Sequence, residues 1–266
     1  MKTETFDLWS QIPGTALEIP KITAYVPDNK TSNAAIAILP GGGYAIRSGY
    51  EGKDYAEFFC KNGITAFVID YRVAPHKFPL PLLDSRRGIK YIRYNAEKYG
   101  IDKNKIAIMG SSAGGHLAAL TSTYFKDVEC SSNDEIDAED FIPNAQILCY
   151  PVIKLLGKGI AHLGSGRALL GDLQAEMGEE LSPDLIANEK TPKAFIWHTA
   201  EDPVVNVINS LDYAKKLKTL DISTELHIFP DGNHGLGLAV QEQDKVTSHV
   251  AQWSSILLNW LIYIGF

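Results

Sequence analysis

The sequence predicts a three-layer α/β sandwich in which helices cover both faces of a mostly parallel central sheet. Short apolar runs rich in β-branched residues alternate along the chain with longer amphipathic stretches. The apolar runs are continuous rather than interleaved with polar residues, which is typical of parallel strands buried on both faces. Right-handed crossovers join strands and helices that alternate in this way, and they place helices on both sides of the sheet.

Apolar runs predict strands at residues 34–39, 64–69, 105–109, 146–150, 194–198 and 224–229. Apolar residues at helical spacing predict helices at 55–62, 82–99, 113–125, 207–220 and 250–263. Gly63 and Gly100 follow the first two of these helices, where a glycine commonly ends a helix.

Two segments interrupt the alternation of strands and helices. Residues 127–140 are acidic and polar and are predicted to form a solvated loop. Residues 154–192 are rich in glycine and too long for a simple connection, so we interpret them as an insertion beside the active site that contributes substrate contacts. No repeat or low-complexity stretch divides the chain, which predicts a single domain over residues 1–266.

Composition and charge narrow the classes of partner. The 266 residues are 45% hydrophobic, as in an ordinary globular protein, and carry a formal net charge of −7. An acidic surface repels phosphate backbones and anionic lipid, so nucleic acid and membranes are not expected as partners. Charges at the start of the chain are unlike a signal peptide, and no run is long enough to span a membrane. We therefore expect a cytoplasmic protein, and a homo-oligomer remains open.

Ser112 is the candidate nucleophile. Gly110-Ser111-Ser112-Ala113-Gly114 fits Gly-x-Ser-x-Gly and lies between a predicted strand and a predicted helix. A serine on such a sharp turn is strained, small residues two positions to either side relieve the clash, and the helix N-terminus favours a developing negative charge. A merely flexible loop is the alternative, but the flanking strand and helix favour the nucleophile.

The run Pro40-Gly41-Gly42-Gly43-Tyr44 follows the first predicted strand and is the candidate oxyanion hole. A tetrahedral intermediate needs preorganised N–H donors, and glycines let the backbone approach the substrate. We assign Gly42 and Gly43 as donors, with the N–H of Ala113 as a third. A phosphate-binding loop would need Gly-Lys-Ser/Thr, which the residues after Gly43 do not provide.

His234 and Asp202 are the candidate base and acid. A serine hydroxyl needs a histidine to take its proton, and a carboxylate to orient that histidine. Asp202 follows strand 194–198 and His234 follows strand 224–229, which gives the chain order serine, acid, histidine of α/β-hydrolases. Glu201 is the competing acid.

The remaining candidates have structural interpretations. His116, His198 and His227 are interpreted as packing or core residues. No metal-ligand spacing such as Cys-x-x-Cys or His-Glu-x-x-His occurs, so neither a metal nor a cofactor is predicted.

Taken together, these residues resemble the esterase/lipase branch of the α/β-hydrolases, and most closely the acetyl xylan esterase-like carbohydrate esterases. The resemblance extends from about residue 8 to 261. Its five motifs are Leu-Pro-Gly-Gly-Gly-Tyr at 39–44, Ile-Asp-Tyr-Arg-Val-Ala-Pro at 69–75, Gly-Ser-Ser-Ala-Gly-Gly-His at 110–116, Trp-His-Thr-Ala-Glu-Asp at 197–202 and Phe-Pro-Asp-Gly-Asn-His-Gly-Leu-Gly-Leu at 229–238. Pro40 stands where hormone-sensitive-lipase-like relatives carry a histidine, which places the chain nearer the sugar-ester deacetylases.

The resemblance implies an α/β-hydrolase sandwich and a serine esterase that removes small acyl groups, typically acetyl, from xylo-oligosaccharides through an acyl-enzyme. Its substrate would be a small-molecule ester, with Tyr44 lining the pocket or packing beneath it. A general carboxylesterase or peptidase with the same three residues is the first alternative. A non-catalytic binding module with this fold is the second.

Overall fold

The central sheet is the frame that positions the candidate residues. The computed structural model describes residues 1–14, 17–128, 132–240 and 244–266. In this part of the chain eight strands pair in the order β1-β2-β4-β3-β5-β6-β7-β8. Their bounds are Lys2–Asp7 (β1), Lys21–Val26 (β2), Ala35–Leu39 (β3), Thr65–Asp70 (β4), Ile106–Ser111 (β5), Ala145–Cys149 (β6), Lys193–Thr199 (β7) and Thr224–Phe229 (β8).

Strands β3 to β8 run parallel, whereas β1 and β2 add an antiparallel edge next to β4. The six parallel strands are the six predicted from the sequence, with ends displaced by at most two residues. The sequence reasoning missed β1 and β2. Strand β1 is mostly exposed and polar and β2 is only half buried, so neither has the continuous apolar run of a strand covered on both faces.

Helices cover both faces, which confirms the predicted three-layer sandwich. The α-helices are Gly49–Lys61 (α1), Leu80–Tyr94 (α2), Ala113–Thr123 (α3), Leu163–Leu170 (α4), Gln174–Met177 (α5), Pro183–Ile186 (α6), Ile208–Thr219 (α7), Lys245–Val250 (α8) and Gln252–Tyr263 (α9), and the 3₁₀ helices are Glu135–Ala138 and Gly171–Leu173.

Alternate residues of each parallel strand enter two separate hydrophobic clusters. In β3, Ala35, Ala37 and Leu39 face a cluster that includes residues of α2, α3 and α7, while Ile36 and Ile38 face a cluster with residues of α1, α8 and α9. Successive side chains of a strand point to opposite faces, so a strand covered on both sides must be apolar throughout. This geometry accounts for the continuous apolar runs in the sequence.

The insertion at 154–192 lies between β6 and β7 and contains α4, α5, α6 and a 3₁₀ turn. Buried Asn209 of α7 anchors its start: the side-chain oxygen accepts from the N–H groups of Ile153 and Lys154, and the side-chain nitrogen donates to the carbonyl of Ile160. The insertion is therefore fastened to the helix that follows β7.

The acidic segment at 127–140 is more ordered in its described part than the predicted solvated loop. It contains the 3₁₀ helix Glu135–Ala138, and the carboxylates of Asp134 and Asp137 bind the guanidinium of Arg87, which is buried on α2. A buried cation needs a compensating charge, and these two acids supply it.

The carboxyl ends of the parallel strands bring the predicted functional residues to one edge of the sheet. The glycine run follows β3, Ser112 follows β5, Asp202 follows β7 and His234 follows β8. This edge is where open α/β sheets bind ligands. Within the described ranges, no helix has the length and apolar character needed to cross a membrane.

Candidate active site

Ser112 lies at a strained turn between β5 and α3. Its φ of 53° and ψ of −119° are unusual for a residue with a side chain. A Cβ on Gly110 would come within 2.1 Å of the carbonyl oxygen of Gly114, and a Cβ on Gly114 within 2.1 Å of that of Leu39. The two glycines of Gly-x-Ser-x-Gly are thus required by close backbone contacts around the serine. The turn has the geometry predicted from the motif.

The imidazole of His234 reaches the serine hydroxyl. Its Nε2 lies 2.8 Å from the Oγ of Ser112, across 122 residues of chain. The ring of Tyr150 packs edge-on against the imidazole, with centroids 5.1 Å apart, and supports it from one side. The structure therefore brings together the predicted nucleophile and the predicted base in a geometry suited to proton transfer.

Asp202 completes the hydrogen-bonded series. Its Oδ2 lies 2.7 Å from Nδ1 of His234, and its Oδ1 accepts from the N–H groups of Val204 and Val205 at 2.8 and 2.9 Å. The Nε2 of buried His198 lies 3.2 Å from Oδ2. The competing acid, Glu201, is exposed to solvent.

The environment of Asp202 keeps its carboxyl ionised. Burial by itself would raise its pKa, but hydrogen bonds from His198 and His234, together with the backbone N–H of Val205, outweigh burial and lower the pKa below its usual value of 3.8. An ionised acid is what a histidine needs when it becomes positively charged.

His198 and His227 have structural partners. His198 donates from Nε2 to the carbonyl of Val205, while its Nδ1 lies 2.7 Å from the hydroxyl of Ser210. These contacts agree with the prediction that His198 is a core residue. The contact between His198 and Asp202 was not predicted. His227 lies partly exposed on edge strand β8 and binds Glu225, so its expected place in the core is wrong.

Tyr44 requires a correction, because its side chain lies in the core rather than in the pocket. It is fully buried and its hydroxyl lies 2.7 Å from Nδ1 of His116, whose Nε2 donates to the carbonyl of Leu181. Burial lowers the pKa of His116 to about 4, so this imidazole is neutral and packs as predicted. The hydroxyl of Tyr44 turned inward because a buried histidine offers it a partner.

The glycine run forms one wall of the site. Gly42 and Gly43 have φ values of 129° and 66°, and a Cβ on Gly42 would come within 2.3 Å of the carbonyl oxygen of Ile46. Within the described residues, the backbone N–H groups of Gly42, Gly43 and Ala113 have no protein acceptor. All three predicted donors are thus available to a ligand.

A pocket of about 190 Å³ opens above Ser112. Its walls are formed by residues that follow β3, β5, β6, β7 and β8: Gly42, Gly43, Ser48, Tyr50, Glu51, Ser112, His162, Val204, His234 and Gly235. No group of three or more His, Cys, Asp or Glu side chains in the described ranges is arranged to hold a metal ion.

Sequence reasoning missed Glu51 and Tyr150, which connect the two sides of the site. The buried carboxylate of Glu51 accepts from the N–H of Gly41 at 2.8 Å and from the hydroxyl of Tyr150 at 2.6 Å. That hydroxyl in turn accepts from the N–H of Gly237 at 2.9 Å. The series joins the glycine run to the loop that carries His234.

Burial raises the pKa of Glu51 above its usual value of 4.5, and the hydrogen bonds from Tyr150 and Gly41 oppose this shift. In the sequence, Glu51 is only an acidic residue in the first turn of a helix, a position that acids occupy for general reasons. Nothing in its local pattern marked it as part of the site.

Known proteins resemble the chain over most of its length. The model of the BD-FAE family matches residues 22–217. The chain is 37% identical over 233 residues to endo-1,4-beta-xylanase B of Butyrivibrio fibrisolvens and 28% identical over 241 residues to an acetylxylan esterase of Xylanibacter ruminicola. These matches cover 84% and 88% of the chain, but the chain spans only 36% and 47% of the two relatives.

Solved structures match along almost the whole chain. The acetyl ester-xyloside bifunctional hydrolase of Caldicellulosiruptor lactoaceticus superposes with a TM-score of 0.90 at 38% identity, covering 99% of this chain and 97% of that protein. A carboxylesterase of Lactobacillus plantarum superposes with a TM-score of 0.80 at 26% identity, covering 100% of this chain and 98% of that protein. The resemblance predicted from the five motifs is confirmed.

Proposed function

Because the chain belongs to the BD-FAE family and has the α/β-hydrolase fold, we propose that it is a carboxylic ester hydrolase with Ser112 as its nucleophile. One observation carries this proposal: Ser112, His234 and Asp202 form an unbroken hydrogen-bonded series, with distances of 2.8 and 2.7 Å. A hydroxyl, an imidazole and a carboxylate in this order are the parts that acyl transfer needs.

In the acylation step, Oγ of Ser112 attacks the ester carbonyl while Nε2 of His234 accepts the hydroxyl proton. The carboxylate of Asp202, with its lowered pKa, stabilises the imidazolium that results. His234 then donates the proton to the alcohol oxygen, the bond between this oxygen and the acyl carbon breaks, and the acyl group remains on Ser112. Water repeats the sequence and releases the acid.

Negative charge on the carbonyl oxygen is stabilised by the N–H groups of Gly42, Gly43 and Ala113. These amides have no protein acceptor within the described residues, and the carbonyl of Gly42 accepts from the N–H groups of Ala45 and Ile46, which holds the glycine run in place. In other serine hydrolases the loss of one such donor costs about 2.7–4 kcal/mol of transition-state stabilisation.

The substrate we propose is a small acyl ester, typically acetyl, on a xylo-oligosaccharide. Two relatives bear names that refer to acetyl esters together with xylan or xylosides. The pocket of about 190 Å³ is smaller than the roughly 300–1,000 Å³ that drug-sized ligands occupy, which suits a small acyl group with part of a sugar.

The nucleophile is tested with Ser112→Ala. This variant should fold like the parent protein yet lose nitrophenyl acetate turnover by a factor of roughly 10⁶, because the hydroxyl it removes is the one within hydrogen-bond distance of Nε2 of His234. Ser111→Ala is the matched control: Ser111 is the neighbouring serine, and its hydroxyl lies 3.0 Å from that of Tyr55 in the core. Turnover retained by Ser112→Ala, or lost equally in both variants, contradicts the assignment.

The substrate class is tested by mass spectrometry of an acetylated xylo-oligosaccharide mixture after incubation. Successive losses of acetyl support the proposal. An unchanged spectrum together with turnover of longer nitrophenyl esters or of aminoacyl amides would favour a general carboxylesterase or a peptidase. Absence of labelling by a fluorophosphonate probe would favour a non-catalytic binding module.

A cytoplasmic location and assembly into homo-oligomers stay predictions. Cell fractionation tests the first and light scattering of the purified protein tests the second.

A further inference from the structure

His162 is a second histidine at the pocket, and the mechanism above does not use it. It caps the N-terminus of α4, the first helix of the insertion. Its Nδ1 accepts from the backbone N–H of Ser165 at 3.2 Å and lies 2.9 Å from the Ser165 hydroxyl. Because a backbone N–H can only donate, Nδ1 carries no proton in this arrangement. The proton of the neutral imidazole is therefore on Nε2.

Protonation of both ring nitrogens is disfavoured at this position. Burial lowers the pKa of His162, and the charge that His234 can carry lowers it further, whereas Asp202 opposes the shift. A second proton on Nδ1 would also face the N–H of Ser165. His162 is thus a neutral side chain with one N–H directed away from its helix cap.

The Nε2 of His162 has no hydrogen-bond partner among the described residues, and it is not among their fully buried atoms that lack partners. Its side chain lines the pocket with Ser112 and His234. A donor that is accessible, unpaired and located at the wall of a pocket is available to a ligand.

The order of the strands places the segment that carries His162 on the same side of Ser112 as the loops of Asp202 and His234. Gly42 and Gly43 follow β3, on one side of β5 and Ser112. The segment of His162 follows β6, and Asp202 and His234 follow β7 and β8, on the other side. His234 must reach the alcohol oxygen to protonate it, so the alcohol part of the ester extends over this second side.

The backbone that carries His162 is held in place before any substrate binds. The N–H of His162 donates to the carbonyl of Lys154 at 3.1 Å, which closes the loop between them. Asn209, fully buried, binds this loop at Ile153, Lys154 and Ile160. A donor fixed in advance loses little conformational entropy when it binds a ligand.

We propose that His162 is a specificity-determining residue whose Nε2–H donates a hydrogen bond to a hydroxyl or ring oxygen in the alcohol part of the ester. The ligand class is thus a sugar ester with oxygens adjacent to the acylated position. This inference rests on the proposed function, since it assigns the recognition of the sugar at the same site. Esters of alcohols without a hydroxyl or ring oxygen adjacent to the acylated position, such as 4-nitrophenyl acetate, gain nothing from this donor.

The test compares two substitutions that each retain one half of the imidazole. His162→Asn keeps an acceptor for the N–H of Ser165 and removes the distal donor. His162→Gln places an amide N–H near the position of Nε2 and gives up the cap. For each protein, kcat/KM is measured with acetylated xylo-oligosaccharides and with 4-nitrophenyl acetate, and their ratio is taken as the selectivity for the sugar ester.

The selectivity of His162→Asn should fall about three- to tenfold, the usual effect of one lost hydrogen bond, and that of His162→Gln should fall less. Unchanged selectivity in His162→Asn, or a larger loss in His162→Gln than in His162→Asn, would overturn the inference. A parent enzyme that cleaves 4-nitrophenyl acetate but not the acetylated sugars would overturn the sugar-ester proposal and this inference with it. That result is visible without any variant, so the two failures are distinguishable.

Discussion

Asp84 and Glu51 are both buried carboxylates, but their partners differ in charge. Asp84, on α2, is bound through both oxygens by the guanidinium of Arg72, at 2.7 and 2.8 Å, and it also accepts from the indole N–H of Trp9. Arg72 donates further to the carbonyl of Pro13. The pair joins the N-terminal segment, the end of β4 and α2 into one frame.

Glu51 has no lysine or arginine partner among the described residues. Its oxygens accept from neutral donors, the N–H of Gly41 and the hydroxyl of Tyr150, and both donors belong to loops of the candidate active site. Burial alone therefore does not define what a carboxylate does. A carboxylate neutralised by a cation stabilises the fold, whereas one held by dipoles of two loops fixes the position of those loops.

The largest effect is expected on the stability of the fold when Asp84 is substituted. Asp84→Asn leaves the buried guanidinium of Arg72 without a compensating charge, which should lower the free energy of unfolding by about 3–5 kcal/mol. Urea-induced unfolding measures it. Asp221→Asn, at an exposed carboxylate, is the control and should leave the free energy nearly unchanged. If Asp84→Asn lowers the free energy of unfolding as little as Asp221→Asn does, the ion pair between Asp84 and Arg72 does not stabilise the fold.

The role of Glu51 in positioning the two loops is tested with Glu51→Ala, which leaves the N–H of Gly41 and the hydroxyl of Tyr150 without their acceptor. The glycine run should shift, and kcat for nitrophenyl acetate should fall roughly ten- to a hundredfold with a smaller change in KM. Glu51→Gln keeps one acceptor oxygen and should restore much of kcat. If stability falls while kcat stays at the parent value, Glu51 belongs with Asp84 as a structural group.

A finer change is Tyr150→Phe, which keeps the ring against His234 and removes the hydroxyl that joins Glu51 to Gly237. Because one bridging group is lost, kcat should fall about three- to tenfold. Tyr213→Phe is the matched control, since the hydroxyl of Tyr213 is also buried and donates to Gln146 away from the site. Equal effects on kcat in the two variants would contradict the role of Tyr150.

The smallest expected effect is on the pH dependence of stability. The folded state raises the pKa of Glu51, so it holds this proton more tightly than the unfolded chain does. Stability should therefore fall as pH rises from about the unfolded pKa of 4.5 through the higher folded pKa. Glu51→Gln removes this decrease, so its unfolding free energy relative to the parent should increase with pH over that window.

Asp202 should show the opposite sign, because its pKa is lowered in the folded state. Its contribution to stability is present above the unfolded pKa of 3.8 and is lost as the pH falls below it. Urea unfolding at a series of pH values, with Asp202→Asn beside Glu51→Gln, separates the two. Parallel pH curves for both variants would contradict the assigned shifts.

The amino-acid sequence by itself determined the parallel part of the sheet, the serine turn and the candidates for base and acid. Strands buried on both faces must be apolar throughout, and a serine on a sharp turn needs Gly110 and Gly114, so these features leave local patterns. His234 and Asp202 were predictable because each follows a strand whose carboxyl end lies at a known edge of the sheet.

Only the tertiary structure decided the contacts of Glu51, Tyr150 and His162 and the burial of Tyr44. Glu51 and Tyr150 are 99 residues apart, and Tyr150 and Gly237 are 87 apart, so their contacts exist only where distant loops meet. A buried polar atom needs a hydrogen-bond partner, but the sequence does not state which of the distant groups will be within reach. The packing of the whole sheet and its helices decides which distant groups meet. The hydrogen bonds that support the site therefore could not be predicted from local patterns.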